Sequence, residues 1–397
     1  MAPLPPMLHP AAQRGERALR VLHCPWNVAG QSAQLAAAER ALGADSRCVV
    51  IEETAKGFRA DEVLAPANPS ILQRERARWR LLSRAILWAD VVHFSFGQSC
   101  LVPNAYPDLS QINWLNPASI AWRLYCRAIW LKDLPILSAM GKTLAVTWQG
   151  DDARQHDRSL ELFDISIAAE LGNTYYVPGS DVWKRRTINN FAKYVPLQYA
   201  LNPDLLHVLP SCARFLPYAS FDIGSVYAQP PSADETHKLV IGHAPSHRGV
   251  KGTQAFIDAV GALESEGYDF EVQLIENLDR QEALKRYETC DIIVDQLIAG
   301  WYGGFGLEAM SLGKPVVAYL RESDLGFLPA EMRSDLPIKS ATSDTIRDVL
   351  RHLLNLPRYA LRDLGLASRD YAERWHTPLS IAVQTLSDYN RQAPEVL

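Results

Sequence analysis

Four closely spaced glycines and the carboxylate of Glu308, all within residues 291–317, form a pattern that can bind a phosphate and a diol. The glycines, at 300, 303, 304 and 306, precede a helix predicted from about Leu307 to Gly313. Glycine lets the backbone approach a ligand closely, and the free N–H groups and dipole of a helix start favour a phosphate. Glu308 falls in the predicted first turn, where a carboxylate can accept hydrogen bonds from a neutral diol. This stretch is therefore the first candidate for a ligand site.

A second turn places basic side chains where they could neutralise such a phosphate. The strand predicted over residues 238–243 leads into a loop that carries Arg248 and Lys251 between glycines, and a helix follows near Thr253. Arginine binds a diphosphate with a planar fork of donors, and lysine binds it as a point charge. A basic turn on the protein surface is the alternative for the same residues.

The segment FGLEAMSLGKPVV resembles the donor-site helix of retaining nucleotide-sugar glycosyltransferases of the GT-B fold, the large family four. The resemblance implies that the helix start holds the donor diphosphate and that Glu308 binds the ribose hydroxyls. These enzymes usually have a second glutamate eight positions earlier, facing the donor hexose, and this chain has Gly300 there. The candidates to replace that glutamate are Asp295, Gln296 and Tyr302. The positions implied at the helix start are Gly304, Phe305, Gly306 and Leu307.

The resemblance extends over most of residues 238–356 and enlarges the donor set. In the family an arginine and a following Lys-Gly pair bind the diphosphate. Lys251 and Gly252 match that pair, whereas Arg248 lies closer to the lysine than the usual arginine does. The fold lays the nucleotide base beside the turn that follows the strand predicted over 269–276. The remaining donor-binding candidates are His243, Ser246, Glu276 and Asn277.

Polar residues also follow a predicted strand in the first half of the chain, in the run KTLAVTWQGDDARQHD. Asp152 and Arg154 could form a structural salt bridge with each other. The run resembles the HGxDxR turn that many of these transferases place beside the donor sugar and the acceptor, although Gln149 stands where a histidine is usual. On that resemblance Asp152 and Arg154 are catalytic candidates, with Arg248 and Lys251.

Two further positions are candidates because the ends of parallel strands face the ligand crevice of such sheets. The strand in ADVVHFSFG is predicted to end at His93, which is then either a cleft residue or a structural hydrogen-bonding group. Gly30 and Gln31 lie in the first strand-to-helix loop, which faces the cleft in the resembling enzymes. An ordinary turn is the alternative for Gly30.

Two stretches combine apolar and basic residues at helical spacing. Residues 71–88 carry five arginines on a predicted amphipathic helix, and residues 119–131 form a second helix rich in aromatic side chains. Such helices can rest on an anionic membrane surface. The alternative is an ordinary helix whose apolar stripe packs on the sheet.

Alternating strand and helix patterns predict an α/β fold of doubly wound units. The resemblance implies that these form two Rossmann-like domains facing across a cleft, the GT-B arrangement. Residues 1–18 are expected to be a disordered leader. An acceptor domain spans 19–218, a linker 219–237 and the donor domain 238–375. Residues 376–397 are expected to form a helix that packs back on the first domain.

The composition excludes several other classes. The chain has 397 residues and a formal charge of -5, so no overall basic field indicates a nucleic-acid partner. No apolar run suggests a signal peptide or a membrane span, and the six cysteines show no zinc or CxxC spacing. We therefore expect a cytoplasmic protein with reduced thiols. The chain also lacks an Asp-x-Asp pair, so we expect no metal and no cofactor.

These features predict a metal-independent transferase that moves a sugar from a nucleotide-diphosphate sugar to an acceptor hydroxyl, with retention if the resemblance holds. The acceptor could be a lipid-linked glycan, a polysaccharide or a small metabolite. A nucleotide-sugar epimerase of the same fold and a non-catalytic binding protein are the alternatives.

Overall fold

The computed structural model describes residues 17–53, 58–102 and 116–392, and within these ranges the strands form two parallel sheets. Nearly all of the predicted leader, and the last five residues of the predicted terminal helix, lie outside the described residues. The predicted α/β fold with two Rossmann-like domains is confirmed.

The first sheet has seven strands in the order β3-β2-β1-β4-β5-β6-β7. Its central strands are buried on both faces, as expected for parallel strands covered by helices on either side. The bounds are β1 (Arg20–Cys24), β2 (Asp45–Val50), β3 (Glu62–Val63), β4 (Val91–Ser95), β5 (Thr143–Trp148), β6 (Leu197–Ala200) and β7 (Ala213–Phe215).

The second sheet has five strands in the order β12-β11-β10-β8-β9. The bounds are β8 (Leu239–His243), β9 (Phe270–Leu274), β10 (Ile292–Val294), β11 (Val316–Ala318) and β12 (Lys339–Ser340). In both sheets the strand order reverses beside the first strand, between β1 and β4 and between β8 and β10. Open α/β sheets bind ligands at this switch point, beyond the carboxyl ends of the strands.

Helices cover both sheets. In the first half they are α1 (Gln31–Ala41), α2 (Ile71–Leu87), α3 (Pro117–Ile129), α4 (Asp133–Ala139), α5 (His156–Leu162), α6 (Ile167–Leu171) and α7 (Ser180–Tyr194). In the second half they are α8 (Arg248–Lys251), α9 (Thr253–Ser265), α10 (Arg280–Glu288), α11 (Gly304–Ser311), α12 (Ala330–Ser334), α13 (Ile346–Leu354), α14 (Arg358–Trp375) and α15 (Pro378–Gln392). No helix in the described part of the chain is long and apolar enough to span a bilayer.

The chain crosses between the sheets twice. The predicted linker lies between β7 and β8, and the domain boundaries at 218 and 238 stay predictions. The second crossing is at His376, whose imidazole bonds the Tyr302 hydroxyl at 2.7 Å and the Tyr218 carbonyl at 3.1 Å. Beyond it α15 packs against α1 of the first half, where the Thr385 hydroxyl donates to Glu39.

Two predicted boundaries differ from the structure near the cleft. Helix α11 begins at Gly304, three residues before the predicted start, because Gly303 serves as its N-cap and the glycines adopt helical geometry. Glu308 therefore lies in the second turn of α11. Strand β4 continues to Ser95, so His93 lies inside the strand and does not end it.

Candidate functional site

A cavity of about 260 Å³ lies between the two sheets, beyond the carboxyl ends of their strands. Phe96 and Gln149 reach it directly after β4 and β5, and Gln296 reaches it after β10. The volume is slightly below the usual range of small-molecule pockets, about 300–1,000 Å³. A ligand of nucleotide size therefore requires the two halves to move apart or the cavity to open on one side.

Two helix starts form opposite walls of this cavity. Gly303 and Gly304 come from the start of α11, and Gln31 is the first residue of α1. Because helix N-termini carry partial positive charge and free N–H groups, both walls favour an anion. A Cβ on Gly304 would meet no neighbouring atom within 4 Å, so this position is open.

Lys251 supplies the cation nearest the α11 start. The lysine is buried, and its ammonium donates to the carboxylate of Asp295 and, at 3.1 Å, to Gln296 Oε1. The same ammonium lies 3.2 Å from the place where a Cβ on Gly303 would stand. A lysine has three N–H donors, so one remains for a ligand at the glycine wall.

Asp295 occupies part of the predicted phosphate site. Its second oxygen accepts the Gly303 amide at 2.6 Å, and its side chain is completely buried. A Cβ on Gly306 would come within 2.8 Å of this carboxylate, so the close approach requires glycine there. Asp295 thus binds the lysine and the helix start through its two oxygens. These contacts replace the predicted contact with the donor sugar.

Arg248, the arginine predicted to bind the diphosphate, is engaged elsewhere. Arg248 is exposed, and its guanidinium donates to both oxygens of Glu276, at 2.9 and 2.6 Å. The hydrogen bond from this guanidinium lowers the pKa of Glu276. Arg248 and Glu276 therefore form a surface ion pair at the cleft edge, and Lys251 alone of the two predicted cations adjoins the α11 start. Asn277 follows with a positive φ of 57°.

Two donor candidates on the second sheet do not reach the cavity. His243 is buried and bonds the Val294 carbonyl at 2.8 Å and the Thr253 hydroxyl at 2.9 Å, and burial lowers its pKa to about 4. Ser246 is exposed in the loop after β8. His243 holds that loop against α9 and has no free nitrogen for a ligand.

Glu308 points from α11 toward α10. Its Oε1 accepts two hydrogen bonds from Arg280, at 3.2 and 3.0 Å. Arg280 in turn stacks on Phe58 and Phe221 of the opposite half, at 4.7 and 5.4 Å from the ring centres. Burial raises the pKa of Glu308, while Arg280 opposes that shift. The arginine leaves the second carboxylate oxygen available to a diol.

The other residues at the α11 start contribute through their backbone. The side chain of Phe305 packs on Tyr287, with ring centres 4.7 Å apart, and Leu307 is buried in the core. The N–H of Phe305 can therefore serve a ligand at the helix start, whereas the N–H of Leu307 donates to the Gly303 carbonyl at 3.2 Å.

Asp152 and Arg154 do not pair with each other. Asp152 accepts the backbone amides of Gly150, at 2.7 Å, and Gln149, at 3.1 Å, and so shapes the turn after β5. Burial raises the pKa of Asp152 to about 6. Arg154 lies in the cavity wall, where it bonds Asp204 at 2.7 Å and Asp151 at 3.1 Å.

His93 is structural, contrary to its prediction as a catalytic candidate. Its ring is buried between the Tyr389 hydroxyl at 2.6 Å and the Thr147 hydroxyl at 2.7 Å. Burial lowers the pKa of His93 and keeps it neutral. The residue faces α15 because β4 continues two residues past it, so the histidine joins the terminal helix to the sheet.

Arg321 fills the space beside Gly300. A Cβ at Gly300 would stand 2.3 Å from a terminal guanidinium nitrogen of Arg321, and the glycine has a φ of +86°. Tyr302, a candidate to replace the missing glutamate, is fully buried and bonds His376 and, at 3.2 Å, Tyr371. Tyr302 therefore belongs to the interdomain crossing and not to the cavity, and Gln296 is the remaining substitute in the wall.

Direct contacts hold the two halves together around the cavity. The Arg321 guanidinium lies 3.8 Å from the ring centre of Phe163 and donates to the Ile165 carbonyl at 2.9 Å. His207 bonds Asp324 at 2.9 Å. These contacts join the two halves, so the cleft is closed.

Several wall residues were not predicted. Tyr218 donates to Asn202 at 2.6 Å and reaches the Tyr302 carbonyl at 3.2 Å, and Tyr175 bonds Asp151. Asn202 follows β6, and the strand-end argument that singled out Gln149 applies to it equally. Arg280 and Arg321 had no such signal, because their positions depend on the packing of the two halves. Across the described ranges, no three His, Cys, Asp or Glu side chains gather as a metal ion requires.

Comparison with solved structures agrees with this architecture. No protein-family model matches the sequence, and no curated protein matches it significantly. Sucrose-phosphate synthase from Thermosynechococcus elongatus is 12% identical, with a TM-score of 0.57 over 94% of this chain and 99% of that one. HepE from Anabaena, solved with UDP-glucose, is 13% identical, with a TM-score of 0.53 over 93% of this chain and all of the other. A glycosyltransferase from Rickettsia africae is 10% identical, with a TM-score of 0.51 over 96% of this chain and 100% of that one. The chain therefore has the GT-B fold, two Rossmann-like domains that face each other across a cleft.

Proposed function

We propose that this protein is a metal-independent glycosyltransferase of the retaining family-four type, which moves a sugar from a nucleotide-diphosphate sugar to an acceptor hydroxyl. The observation that carries the proposal is that the α11 start, whose Gly303 and Gly304 line the interdomain cavity, adjoins the buried ammonium of Lys251. The sequence resemblance supports the finer assignment to the retaining family. Similarity of fold to HepE, whose structure holds UDP-glucose, makes UDP the first nucleotide to try.

In this proposal the donor diphosphate lies at Gly304, between the free amides of α11 and the third N–H of Lys251. These groups stabilise the negative charge that develops as the bond between sugar and phosphate breaks. The second oxygen of Glu308 accepts hydrogen bonds from the ribose, and Arg280 fixes that carboxylate in place. Closure of the two halves brings donor and acceptor together and excludes water.

Two other functions remain as alternatives. An epimerase of the same fold would alter the sugar of the donor with no acceptor present. A non-catalytic binding protein is favoured by one observation: the cations around the cleft, Lys251, Arg154 and Arg280, are each paired with a carboxylate of the chain.

The proposal is tested by incubating the purified protein with UDP-, GDP- and ADP-sugars in EDTA, with and without a panel of glycan and lipid acceptors. We expect release of one nucleoside diphosphate and formation of a glycosylated acceptor whose anomeric configuration, read by NMR, matches the donor. A changed sugar without acceptor would indicate the epimerase. Tight nucleotide binding with no product from any acceptor would support the binding protein.

We also propose that α2 and α3 contact an anionic membrane surface. On α2, Leu72 is 71% exposed and Trp79 45% exposed, and both border a groove of about 580 Å³. Arg76 and Arg80 line the same groove, and neither takes part in an ion pair within the described ranges. Trp79 also donates to Tyr125 of α3 at 3.2 Å, which joins the two helices into one surface. Exposed apolar and basic side chains together are typical of such contacts.

A further inference from the structure

Most of the polar side chains that line the interdomain cavity are uncharged. Gln31 and Ser220 come from the first half, and Gln149 and Asn202 from the turns after β5 and β6. Gln296 adds an amide from the second half. Amides and hydroxyls both donate and accept hydrogen bonds, as sugar hydroxyls do. The chemistry of this wall therefore matches an uncharged polyol.

Gln31 has an unused donor in this wall. Its Oε1 accepts the backbone amide of Ala219 at 2.8 Å, which fixes the orientation of the side chain. Its Nε2 is buried, and no described residue accepts a hydrogen bond from it. Leaving such a group unsatisfied costs about 1–3 kcal/mol. An oxygen atom of a ligand would satisfy this amide once the two halves separate to admit it.

The charges of the wall are already compensated inside the chain. Arg154 is held between Asp204 and Asp151, and Lys251 is bound by Asp295. Asp151 is the most accessible of these three carboxylates, with 42% of its side chain exposed. An acidic group on a bound sugar would therefore meet a carboxylate and no unpaired cation among the described wall residues.

We infer that the sugar held in this cavity is an uncharged hexose, and that the Gln31 Nε2 donates to one of its oxygens. The inference rests on the proposed function and specifies its substrate class. Hexuronate donors are then disfavoured, because their carboxylate would enter a cavity whose most accessible charge is the Asp151 carboxylate. The Gln31 amide would serve a phosphate oxygen equally well, so the experiment must separate the sugar from the diphosphate.

The test compares UDP, UDP-glucose and UDP-glucuronate by calorimetric titration into the wild-type protein and into Gln31→Glu. The substitution keeps an oxygen that accepts the Ala219 amide, replaces the donor with an acceptor and adds one negative charge. In the wild type we expect UDP-glucose to bind about tenfold more tightly than UDP-glucuronate. In Gln31→Glu the affinity for UDP-glucose should fall about tenfold more than the affinity for UDP, because the added charge acts on both ligands whereas the lost donor acts on the sugar. Gln229→Glu, an exposed position away from the cavity, is the matched control.

Three results would overturn the inference. UDP-glucuronate binding as tightly as UDP-glucose would remove the charge argument. An equal loss of UDP and UDP-glucose affinity in Gln31→Glu would show that the sugar does not use this amide, and unchanged UDP-glucose affinity would remove its role. If UDP binds the wild type and either of the last two results is found, the proposed function still stands. Failure of the wild type to bind UDP or either UDP-sugar would reject this inference together with a UDP-dependent function.

Discussion

The ammonium of Lys251 is bound by the carboxylate of Asp295, which also accepts the amide of Gly303 at the start of α11. Both residues are buried, so the pair loses hydration and depends on its geometry and hydrogen bonds. The carboxylate holds the lysine beside the helix start and also competes with any incoming phosphate. The affinity of the site for a diphosphate is therefore set by both side chains.

Changing the two members of this pair should have opposite effects on UDP affinity. Asp295→Asn keeps an oxygen for the Gly303 amide but leaves the lysine unpaired, so UDP should bind about tenfold more tightly. Lys251→Met combined with Asp295→Asn removes both charges, and UDP should bind about tenfold or more weakly than in the wild type. Lys238→Met, in an exposed ion pair with Asp269, is the control. Wild-type affinity in the double variant would exclude the lysine from the site.

Glu308 should recognise the ribose specifically. The wild type is expected to bind UDP about tenfold more tightly than 2′,3′-dideoxy-UDP, because the carboxylate accepts hydrogen bonds from the two hydroxyls. Glu308→Gln should bind the two nucleotides with nearly equal affinity in calorimetry. Glu282→Gln, on the exposed face of α10, should keep the wild-type preference. A preference that survives in Glu308→Gln would place the ribose elsewhere.

A side chain at position 300 should destabilise the fold. Gly300→Ala forces a left-handed residue and a clash with Arg321, so the free energy of unfolding should fall by about 1–3 kcal/mol. Gly261→Ala is the matched control, because that glycine lies inside α9 and a Cβ there meets no atom within 4 Å. The control should gain up to about 1 kcal/mol. Equal changes in urea denaturation for the two variants would contradict this account.

The raised pKa of Asp152 makes stability depend on pH. Burial raises this pKa to about 6 in the folded state, above the unfolded value of about 4. Between these values unfolding releases a proton, so the contribution of Asp152 is full below pH 4 and is lost as pH rises through about 6. Relative to Asp152→Asn, wild-type stability should therefore fall by up to about 1.4 kcal/mol per pH unit in that window. Denaturant titrations at several pH values measure this difference in the free energy of unfolding. A wild type whose stability rises with pH relative to the variant would mean that the Asp152 carboxylate is charged in the folded state.

The surface of α2 and α3 should bind acidic vesicles. The wild type is expected to sediment with vesicles of equal phosphatidylglycerol and phosphatidylcholine, and less with phosphatidylcholine alone. Leu72→Glu combined with Arg80→Glu should remain in the supernatant. Leu379→Glu, which changes an exposed leucine on α15, should behave as the wild type. Unaltered sedimentation of the double variant would exclude this surface.

Much of the fold could be read from the sequence because its signals are local. Apolar runs such as the one ending at Val294, followed by glycines and a helical pattern, determine a strand-loop-helix unit without knowledge of distant partners. The same local chemistry placed Lys251 in the turn after β8 and the α11 glycines in the turn after β10. The predicted α11 start was three residues late because a run of glycines carries little helical propensity.

The errors in the site came from contacts between distant segments. His93 reads as a strand-end residue until α15, almost 300 positions later, places Tyr389 against it. Arg248 reads as a phosphate ligand until the end of β9 brings Glu276 to its guanidinium. Arg321 occupies the space at Gly300 because the loop after β11 returns to it, where the Arg321 amide donates to the Gly300 carbonyl at 2.9 Å. No local pattern encodes these partners.

The central claim is that the amides opening α11 bind a diphosphate, and NMR of protein labelled with ¹⁵N only at glycine tests it most directly. Gly304→Ala assigns one relevant signal among the 22 glycines, and carbonyl-¹³C labelling of phenylalanine, which precedes only Gly97 and Gly306, identifies the other. The account predicts that UDP shifts the Gly304 and Gly306 amide signals strongly and that uridine does not. The account is contradicted if UDP binds but leaves both signals in place, or if UDP shifts them no more than uridine does.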